Sequence, residues 1–282
     1  NKSTVINHRL FRIFVLIMQI ITLITDWQSS GYYVAALKAR LLAALPEITI
    51  VDISHRVAAF NTLQAAFLLR HTCTHFPEGT IHLIGVNSEP SPENHLAVAE
   101  AGGHFFVAPN NGLLSLALDN APEYVTEMPV PGGMAGFKAL RLFVRAAQAI
   151  IAGVVNTVGL RTPLHKLLLS RPTYDGTFIS GQVAYVDAYG NAITNIDRRL
   201  FETACQKRHF EIYVQSYHNK LERISNYYDD VAPGELLALF NSLQLLEIAV
   251  NQGNVAQREQ LDTTSSVRIK FLSPPSGAGD AV

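Results

Sequence analysis

Polar side chains follow three predicted strands at the points where those strands end. Asp26 follows an apolar run, the segment Asp52–His55 closes a second run, and Asn87-Ser88 follows a third. Open parallel sheets bind ligands outside the carboxyl ends of their strands, and a carboxylate placed there can accept hydrogen bonds from both hydroxyls of a ribose. We therefore predict Asp26 as a ribose anchor. A cap of the helix that follows is the structural alternative, and spacing alone does not separate the two.

Two further polar turns lie later in the chain. In the segment Tyr185–Asn191, Asp187 and Asn191 flank a glycine turn between two predicted strands. An asparagine side chain carries both a donor and an acceptor, which suits the edge of an adenine; an ordinary hairpin turn is the alternative. The run Ala108–Gly112 contains Asn-Gly, a pair so common in turns that a structural role is favoured there.

The sequence argues against several other kinds of site. Its ten histidines are scattered, and His71 and His75 lie four apart at a predicted helix end. No HExxH motif, paired cysteines or clustered carboxylates accompany them, so neither a metal nor a cofactor is expected. GxGxxG, P-loop and GxSxG motifs are also missing from the sequence, which disfavours the nucleotide hydrolases and serine hydrolases that use them.

Composition limits the partners and the compartment. The chain has 282 residues, 48% of them hydrophobic and 16% charged, which is enough to bury a large core. The formal net charge is −1 and no basic stripe is present, so nucleic acid is not an expected partner. Two cysteines are too few for a disulfide framework, and a cytoplasmic location is expected.

The two ends of the chain differ from the middle. Residues 9–25 are apolar, but the strongly apolar part is shorter than the ~20 residues of a spanning helix, and no cleavage site of a secretory signal follows. We predict that residues 19–25 form a buried strand and that residues 1–17 are an upstream extension, with no membrane partner; a membrane anchor is the alternative. Residues 273–282 are rich in proline, glycine and serine and are predicted to be disordered.

Strand and helix patterns alternate through residues 18–172. This is typical of an α/β domain with a mostly parallel sheet and helices on both faces. Its predicted strands are 20–25, 48–53, 80–86 and 105–108, and its predicted helices are 32–45, 62–70 and 143–152. Residues 176–272 instead show short strands separated by turns, which predicts a C-terminal all-β, barrel-like domain. Those strands are 176–187, 192–196, 210–214, 236–240, 246–250 and 267–271.

Six segments, in order along the chain, carry a resemblance to a known family. They are Ile24–Lys38, Ile50–His55, Phe76–His82, Val107–Leu114, Val186–Ile196 and Asn241–Asn251. Together they resemble the S-adenosylmethionine hydroxide adenosyltransferases, relatives of the fluorinase and chlorinase enzymes. The resemblance covers roughly residues 18–271.

The resemblance implies a fold, an assembly and a reaction. It implies an α/β N-terminal domain, a β-barrel C-terminal domain and a homotrimer in which the ligand lies between the N-terminal domain of one subunit and the C-terminal domain of the next. A nucleophile (water, chloride or fluoride) attacks the ribose C5′ of S-adenosylmethionine (SAM) and expels methionine. Because the sulfonium is already a good leaving group, catalysis needs in-line positioning, a dry pocket and, for water, help with a proton.

By position, the resemblance also implies roles for individual residues. Asp26 would hold the ribose, Asn191 the adenine edge, and Phe137 would pack near the nucleoside. Asp187, Ser242 and the backbone that follows would hold the methionine end. The predicted substrate-binding residues are Asp26, Phe137, Asp187, Asn191, Tyr228, Ser242 and Leu243.

The chain departs from the family at the reacting centre. The hydrolase branch keeps an Asp, an Arg and a His around the attacking water, and these positions here are Asn87, Asn94 and Lys138. A carboxamide does not accept a proton at neutral pH, and a lysine acts as a base only in its uncharged form.

Substitute bases and further departures lie nearby. Glu89, Glu93 and His95 stand close in the sequence to the replaced positions. In the first loop, Gln28 replaces a glycine of the family and Gly31 replaces an acidic residue. Because Gly31 is small, it could widen the pocket at the methionine end.

Three functions follow from these observations. The first is a hydrolase that converts SAM and water to adenosine and methionine by a rearranged proton path. The second is a non-catalytic trimer that binds adenosine or SAM, which the replaced positions favour. The third is an enzyme of the same fold with another nucleophile or another 5′-substituted adenosine. A shared fold is an analogy about function and not a proof; the resemblance favours the first function, and hydrolysis of SAM is the function we expect, with the other two as alternatives.

Overall fold

The computed structural model describes residues 19–133, 135–168 and 170–272. They form two compact units that divide between Lys166 and Leu167. The predicted extension at residues 1–17 and the predicted disorder at residues 273–282 lie outside the described residues. Within the described ranges, no helix combines the length and the apolar character that a membrane span requires.

The first unit is a seven-stranded sheet with helices. Its elements are β1 (Gln19–Thr25), α1 (Tyr32–Ala44), β2 (Ile48–Ser54), α2 (Thr62–Thr72), β3 (Ile81–Gly85), β4 (Leu96–Ala101), β5 (His104–Pro109), α3 (Leu113–Ala117), β6 (Tyr124–Glu127), α4 (Ala139–Ile151), α5 (Val155–Val158) and β7 (Leu160–Arg161). The strand order is β2-β1-β3-β5-β4-β6-β7. The pairings from β2 to β5 are parallel, and β4, β6 and β7 pair antiparallel. The α/β fold class is confirmed, with a mixed sheet.

Helices cover both faces of this sheet because its central strands are apolar on both sides. In β1, Ile21 and Leu23 join a core cluster with α1 and α4, whereas Ile24 joins a second cluster with α2 and α3. Successive strand residues point to opposite faces, so a strand buried on both sides reads as a continuous apolar run. The predicted strand at residues 19–25 is confirmed.

Parallel pairing brings three strand ends to one edge of the sheet. Thr25 at the end of β1 pairs with Gly85 at the end of β3, and Ile24 pairs with Ser54 at the end of β2. The residues that follow these strands, among them Asp26 and Asn87, therefore start from the same edge. This is the edge at which open sheets bind their ligands.

The second unit is an all-antiparallel, barrel-like sheet of eight strands. Its elements are β8 (Thr173–Tyr174), β9 (Phe178–Val186), β10 (Ala192–Asp197), α6 (Arg198–Cys205), β11 (Phe210–Val214), β12 (Ser216–Leu221), β13 (Leu236–Phe240), β14 (Leu245–Val250), α7 (Val255–Arg258) and β15 (Ser266–Phe271). The order is β12-β11-β15-β9-β10-β14-β13, and β8 pairs with β9. The predicted all-β, barrel-like fold is confirmed. Helix α6, capped by Asp197, is an addition that the strand pattern did not indicate.

A buried histidine pair lies inside the first unit. His82 on β3 is fully buried, and its Nδ1 lies 2.7 Å from Thr22 Oγ1 while its Nε2 lies 3.3 Å from His104 Nδ1. Burial, with a smaller contribution from His104, lowers the pKa of His82 to about 3. Burial also lowers the pKa of His104. Both rings are therefore neutral in the folded protein at pH 7.

We predict that this pair makes the first unit sensitive to acid. Below about pH 6.5 the unfolded chain binds protons at these histidines and the folded unit does not, so stability falls as the pH drops from 6.5 towards 3. For His82 the slope is about 1.4 kcal/mol per pH unit. The double variant Thr22→Val/His82→Leu, which removes the His82 ring together with the hydroxyl of its partner Thr22, should lose stability less steeply. Urea unfolding at pH 7, 5 and 4, followed by fluorescence of Trp27, the single tryptophan, measures this.

His75→Gln provides the matched control, since His75 is an exposed histidine of the same unit. It should unfold with the pH dependence of the unmodified chain. An equally steep acid loss in the double variant would contradict the assignment to His82.

Candidate functional site

Asp26 ties together two loops at the carboxyl edge of the sheet. Its Oδ2 accepts the backbone N–H of Phe60 at 2.9 Å and of Asn87 at 3.2 Å. Helix α1 begins after Gly31, which makes no side-chain cap, so Asp26 is not the cap of that helix. The carboxylate is half-exposed. Among the described residues only Oδ2 is engaged, and Oδ1 stays available to a ligand.

The loop between Asp26 and α1 contains Gln28 and Gly31, the two positions expected to depart from the family that the sequence resembles. Gln28 has φ +62°, a left-handed conformation that favours glycine. Gly31 has no spare room: a Cβ atom there would lie 2.6 Å from the carbonyl oxygen of Trp27. In this conformation the loop requires glycine at position 31. At position 28 the backbone keeps the left-handed conformation that favours glycine, although the residue is Gln28.

The three replaced positions lie together in the first unit. Asn94 Nδ2 donates to the carbonyl oxygen of Asn87 at 2.7 Å and to that of Glu89 at 3.3 Å. The Glu89 carboxylate accepts the backbone N–H of Lys138 at 3.0 Å, and its other oxygen lies 3.6 Å from Lys138 Nζ. We name Asn87, Glu89, Asn94 and Lys138 the Glu89 cluster. The Asn87 N–H that binds Asp26 connects this cluster to the predicted ribose anchor.

The other two candidate bases are placed differently. His95 Nε2 lies 2.7 Å from the carbonyl oxygen of Pro92, and its Nδ1 lies 2.9 Å from the Glu127 carboxylate. Both ring nitrogens thus face acceptors, and neither is free to take a proton from water. Glu93 is exposed, and only its backbone N–H has a described bond, to Ser91 Oγ.

An aromatic group lies beside the first loop. The Phe137 ring is 5.2 Å from that of Trp27 and 4.9 Å from that of Tyr33, both in edge-on geometry. Phe137 directly precedes Lys138 and is half-buried. Phe137, predicted to pack near a nucleoside, is thus adjacent in the chain to Lys138 of the Glu89 cluster.

The strand-end segment Asp52–His55 forms a structural network. Thr25 Oγ1 lies 2.9 Å from His55 Nδ1, His55 Nε2 lies 3.1 Å from Asp52 Oδ1, and Lys38 Nζ donates to Asp52 Oδ2 at 2.5 Å. Burial acts to raise the pKa of Asp52, but the hydrogen bonds of Lys38 and His55 outweigh it and the pKa is lowered. The network joins the ends of β1 and β2 to α1. Among the described residues, no three potential ligands are grouped to hold a metal ion.

The second unit contains a cavity of about 680 Å³. Four predicted substrate-binding residues line it, namely Asp187, Tyr228, Ser242 and Leu243. Asn241, Ser242 and Leu243 form part of its wall, and Asn241 Oδ1 accepts the backbone N–H of Leu243 at 3.0 Å, which holds this turn together. The packing of β10, β13 and β14 therefore brings together residues that are up to 56 positions apart in the chain.

The turn between β9 and β10 is built around Asp187. Its Oδ1 accepts the backbone N–H of Tyr189 and Asn191, and its Oδ2 accepts Asn191 Nδ2 at 3.0 Å. Gly190 has φ +85°, and a Cβ atom there would meet the Asn254 side chain at 2.1 Å. The hairpin turn proposed as the structural alternative is present. Asn191 is buried and does not line the cavity; its amide nitrogen bonds Asp187, so its oxygen is the atom left for an adenine edge.

Glu247 is a cavity residue that the sequence analysis did not single out. Its carboxylate is only 3% exposed and accepts the Tyr228 hydroxyl at 2.6 Å and Asn241 Nδ2 at 3.0 Å. Burial, followed by the hydrogen bond to Glu247 and its charge, raises the pKa of Tyr228 above its usual value. One signal was available: Glu247 is the single charged residue in the otherwise apolar strand β14.

The run Ala108–Gly112 acts as a structural turn. Asn110 Nδ2 donates to the carbonyl oxygen of Pro163 at 3.0 Å, and its Oδ1 accepts the N–H of His165 at 2.9 Å. Asn111 Oδ1 accepts Leu113 N at the start of α3. These bonds fasten the last segment of the first unit to the end of β5.

Comparison with known proteins gives matches over both units. The model of the SAM hydroxide adenosyltransferase N-terminal domain matches residues 21–159, and that of the C-terminal domain matches residues 181–268. The chain is 27% identical to an (R)-S-adenosyl-L-methionine hydrolase of Thermus thermophilus over 90% of this chain and 100% of the relative. A hydrolase of the same name from Methanocaldococcus jannaschii is 25% identical over 90% and 97%. The crystal structure of an uncharacterized conserved protein from Thermotoga maritima superposes with a TM-score of 0.78 at 27% identity, covering 89% of this chain and 100% of that one.

We predict that the bond between Tyr228 and Glu247 stabilises the cavity wall. Tyr228→Phe leaves the buried carboxylate with one donor fewer, and a hydrogen bond to a charged group contributes about 1.5–3 kcal/mol. Because Tyr228 is itself 45% exposed, we expect a loss of about 1–2 kcal/mol. Hydrogen exchange of the backbone amides of Leu245–Val250 should accelerate accordingly.

Tyr189→Phe is the matched control for this variant. Tyr189 lies in the same unit, is 78% exposed, and its loss of a hydroxyl should leave exchange in β14 unchanged. Equal exchange rates in the two variants would show that the hydrogen bond between Tyr228 and Glu247 does not stabilise strand β14.

Proposed function

The chain belongs to the SAM hydroxide adenosyltransferase family, and from this premise we propose that it binds SAM and hydrolyses it to adenosine and L-methionine. One observation carries the proposal. The Asp26 carboxylate stands at the carboxyl edge of the sheet, bonded to the loop that holds Asn87 and Asn94, two of the three positions at which the resemblance places the reaction.

Each unit, taken by itself, offers groups suited to one end of SAM. The free Oδ1 of Asp26 is an acceptor for ribose hydroxyls, and the aromatic rings of Trp27 and Phe137 offer an apolar surface to the nucleoside. In the second unit, Asp187 and the buried Glu247 both line the cavity. Two carboxylates favour an ammonium group such as that of the methionine moiety.

The reaction needs little covalent help from the protein. Water attacks C5′ from the side opposite the sulfonium, the C5′–S bond breaks, and its electron pair stays on the sulfur of methionine. The protein has to align water with that bond, exclude bulk solvent and remove one proton from the attacking water.

A second candidate function is a SAM- or adenosine-binding protein without catalysis. The specific observation in its favour is the loss of the family's acid–base residues at Asn87, Asn94 and Lys138. Product analysis separates the two functions, because only the hydrolase releases adenosine. The homotrimer expected from the resemblance is part of both proposals, and light scattering of the purified protein tests it.

We expect the purified chain to convert SAM to adenosine and methionine, detected by liquid chromatography. Asp26→Asn should weaken SAM binding measured by calorimetry by about 10–100-fold. The physical reason is that hydrogen bonds to a charged acceptor contribute about 1.5–3 kcal/mol, and the variant keeps the size of the side chain.

Asp119→Asn is the control, since Asp119 is an exposed aspartate of the same unit paired with Arg70. It should bind SAM with unchanged affinity. Binding of SAM without release of adenosine would select the non-catalytic function, and unchanged affinity in Asp26→Asn would remove Asp26 as the anchor.

A further inference from the structure

Within the Glu89 cluster, only one group is suited to accept a proton. Asn87 and Asn94 present neutral carboxamides, and the Lys138 side chain is paired with Glu89. Glu89 is a carboxylate, which when ionised acts only as an acceptor. Position 87, where the resemblance expects a carboxylate, is Asn87. Glu89, two residues later in the same loop, supplies a carboxylate that contacts Lys138.

The Glu89 carboxylate is held in a defined place. One of its oxygens accepts the backbone N–H of Lys138, and the other faces the Lys138 ammonium at 3.6 Å. Lys138 is also the residue at the N-terminus of helix α4, where a negative charge is favoured. The backbone of Glu89 is fixed as well, since its carbonyl oxygen accepts Asn94 Nδ2.

Two buried polar atoms of the same loop point to a small polar ligand. Ser88 Oγ and Asn94 Oδ1 are buried and have no hydrogen-bond partner among the described residues. Ser88 is 5% exposed. Buried polar groups are nearly always paired with protein or water, so these two atoms, on either side of Glu89 in the loop, are suited to bind water.

We propose that Glu89 is the catalytic residue that takes the proton from the attacking water, with Lys138 as its positioning residue and Asn94 Oδ1 as an acceptor that orients the water. The proposal rests on the proposed hydrolysis of SAM. Water oxygen forms the new bond to C5′, the C5′–S bond breaks towards sulfur, and one water proton passes to a Glu89 carboxylate oxygen. The products are adenosine, neutral at its new 5′-hydroxyl, and methionine.

The test compares Glu89→Gln with Glu93→Gln. Both replace a carboxylate of the same loop by an isosteric amide, but the described structure gives the Glu93 side chain no contact with the cluster. General-base catalysis typically contributes 10²–10⁴-fold, so Glu89→Gln should lower kcat, measured at saturating SAM, by about that factor. Its Kd for SAM should rise much less, because the variant removes only the charge that offsets Lys138. Glu93→Gln should match the unmodified chain in both quantities.

A second variant separates chemistry from structure. Glu89→Ala should be inactive and should regain turnover when formate is added, because formate supplies the missing carboxylate. A merely structural role of Glu89 would not respond to formate. The inference is overturned if the unmodified chain hydrolyses SAM and Glu89→Gln does so at the same rate, or if Glu89→Ala is inactive with formate present. If the unmodified chain in the same assay releases no adenosine, the proposed hydrolysis itself fails, and the role of Glu89 fails with it.

Discussion

The site in the first unit depends on the two hydrogen bonds that Asp26 Oδ2 accepts from the backbone. Phe60 lies in the loop after β2 and Asn87 in the loop after β3, so one carboxylate oxygen joins the ends of three neighbouring strands. Bonds of this kind, from N–H to an ionised acceptor, are the stronger class. One of them holds the backbone of Asn87, to which Asn94 of the Glu89 cluster is bonded in turn.

A constraint of the same kind shapes the second unit. Glu247 is a carboxylate in a strand whose other residues are apolar, and burial of such a group is costly unless donors surround it. Tyr228 and Asn241 supply those donors from two different loops. Because the carboxylate requires both, it holds the loops in place around the cavity. In each unit a single carboxylate thus orders the segments that would contact a ligand.

The sequence predicted those parts of the fold that rest on local pattern. Strand β1 and helix α1 were readable because a continuous apolar run and a helical period mark them, and β11 and β13 have their predicted bounds. Strands β4 and β6 were not predicted, since a short run rich in alanine and a four-residue strand give little periodic signal. The role of Glu89 was open for another reason. Spacing placed Glu89, Glu93 and His95 near position 94, and only its tertiary contacts with Lys138 distinguish Glu89 from the other two.

The replaced positions also make sense as a set of charges. A lysine alone beside a sulfonium cation is repulsive, so a change from histidine to Lys138 would work against binding of SAM. The Glu89 carboxylate 3.6 Å away offsets that charge. A family member with Asp, Arg and His holds one anion and one permanent cation at its reacting centre; this chain holds Glu89 and Lys138, again one of each. If SAM binds as proposed, the pair of Glu89 and Lys138 keeps one anion and one cation at the site, although position 87 carries no Asp and position 94 no Arg.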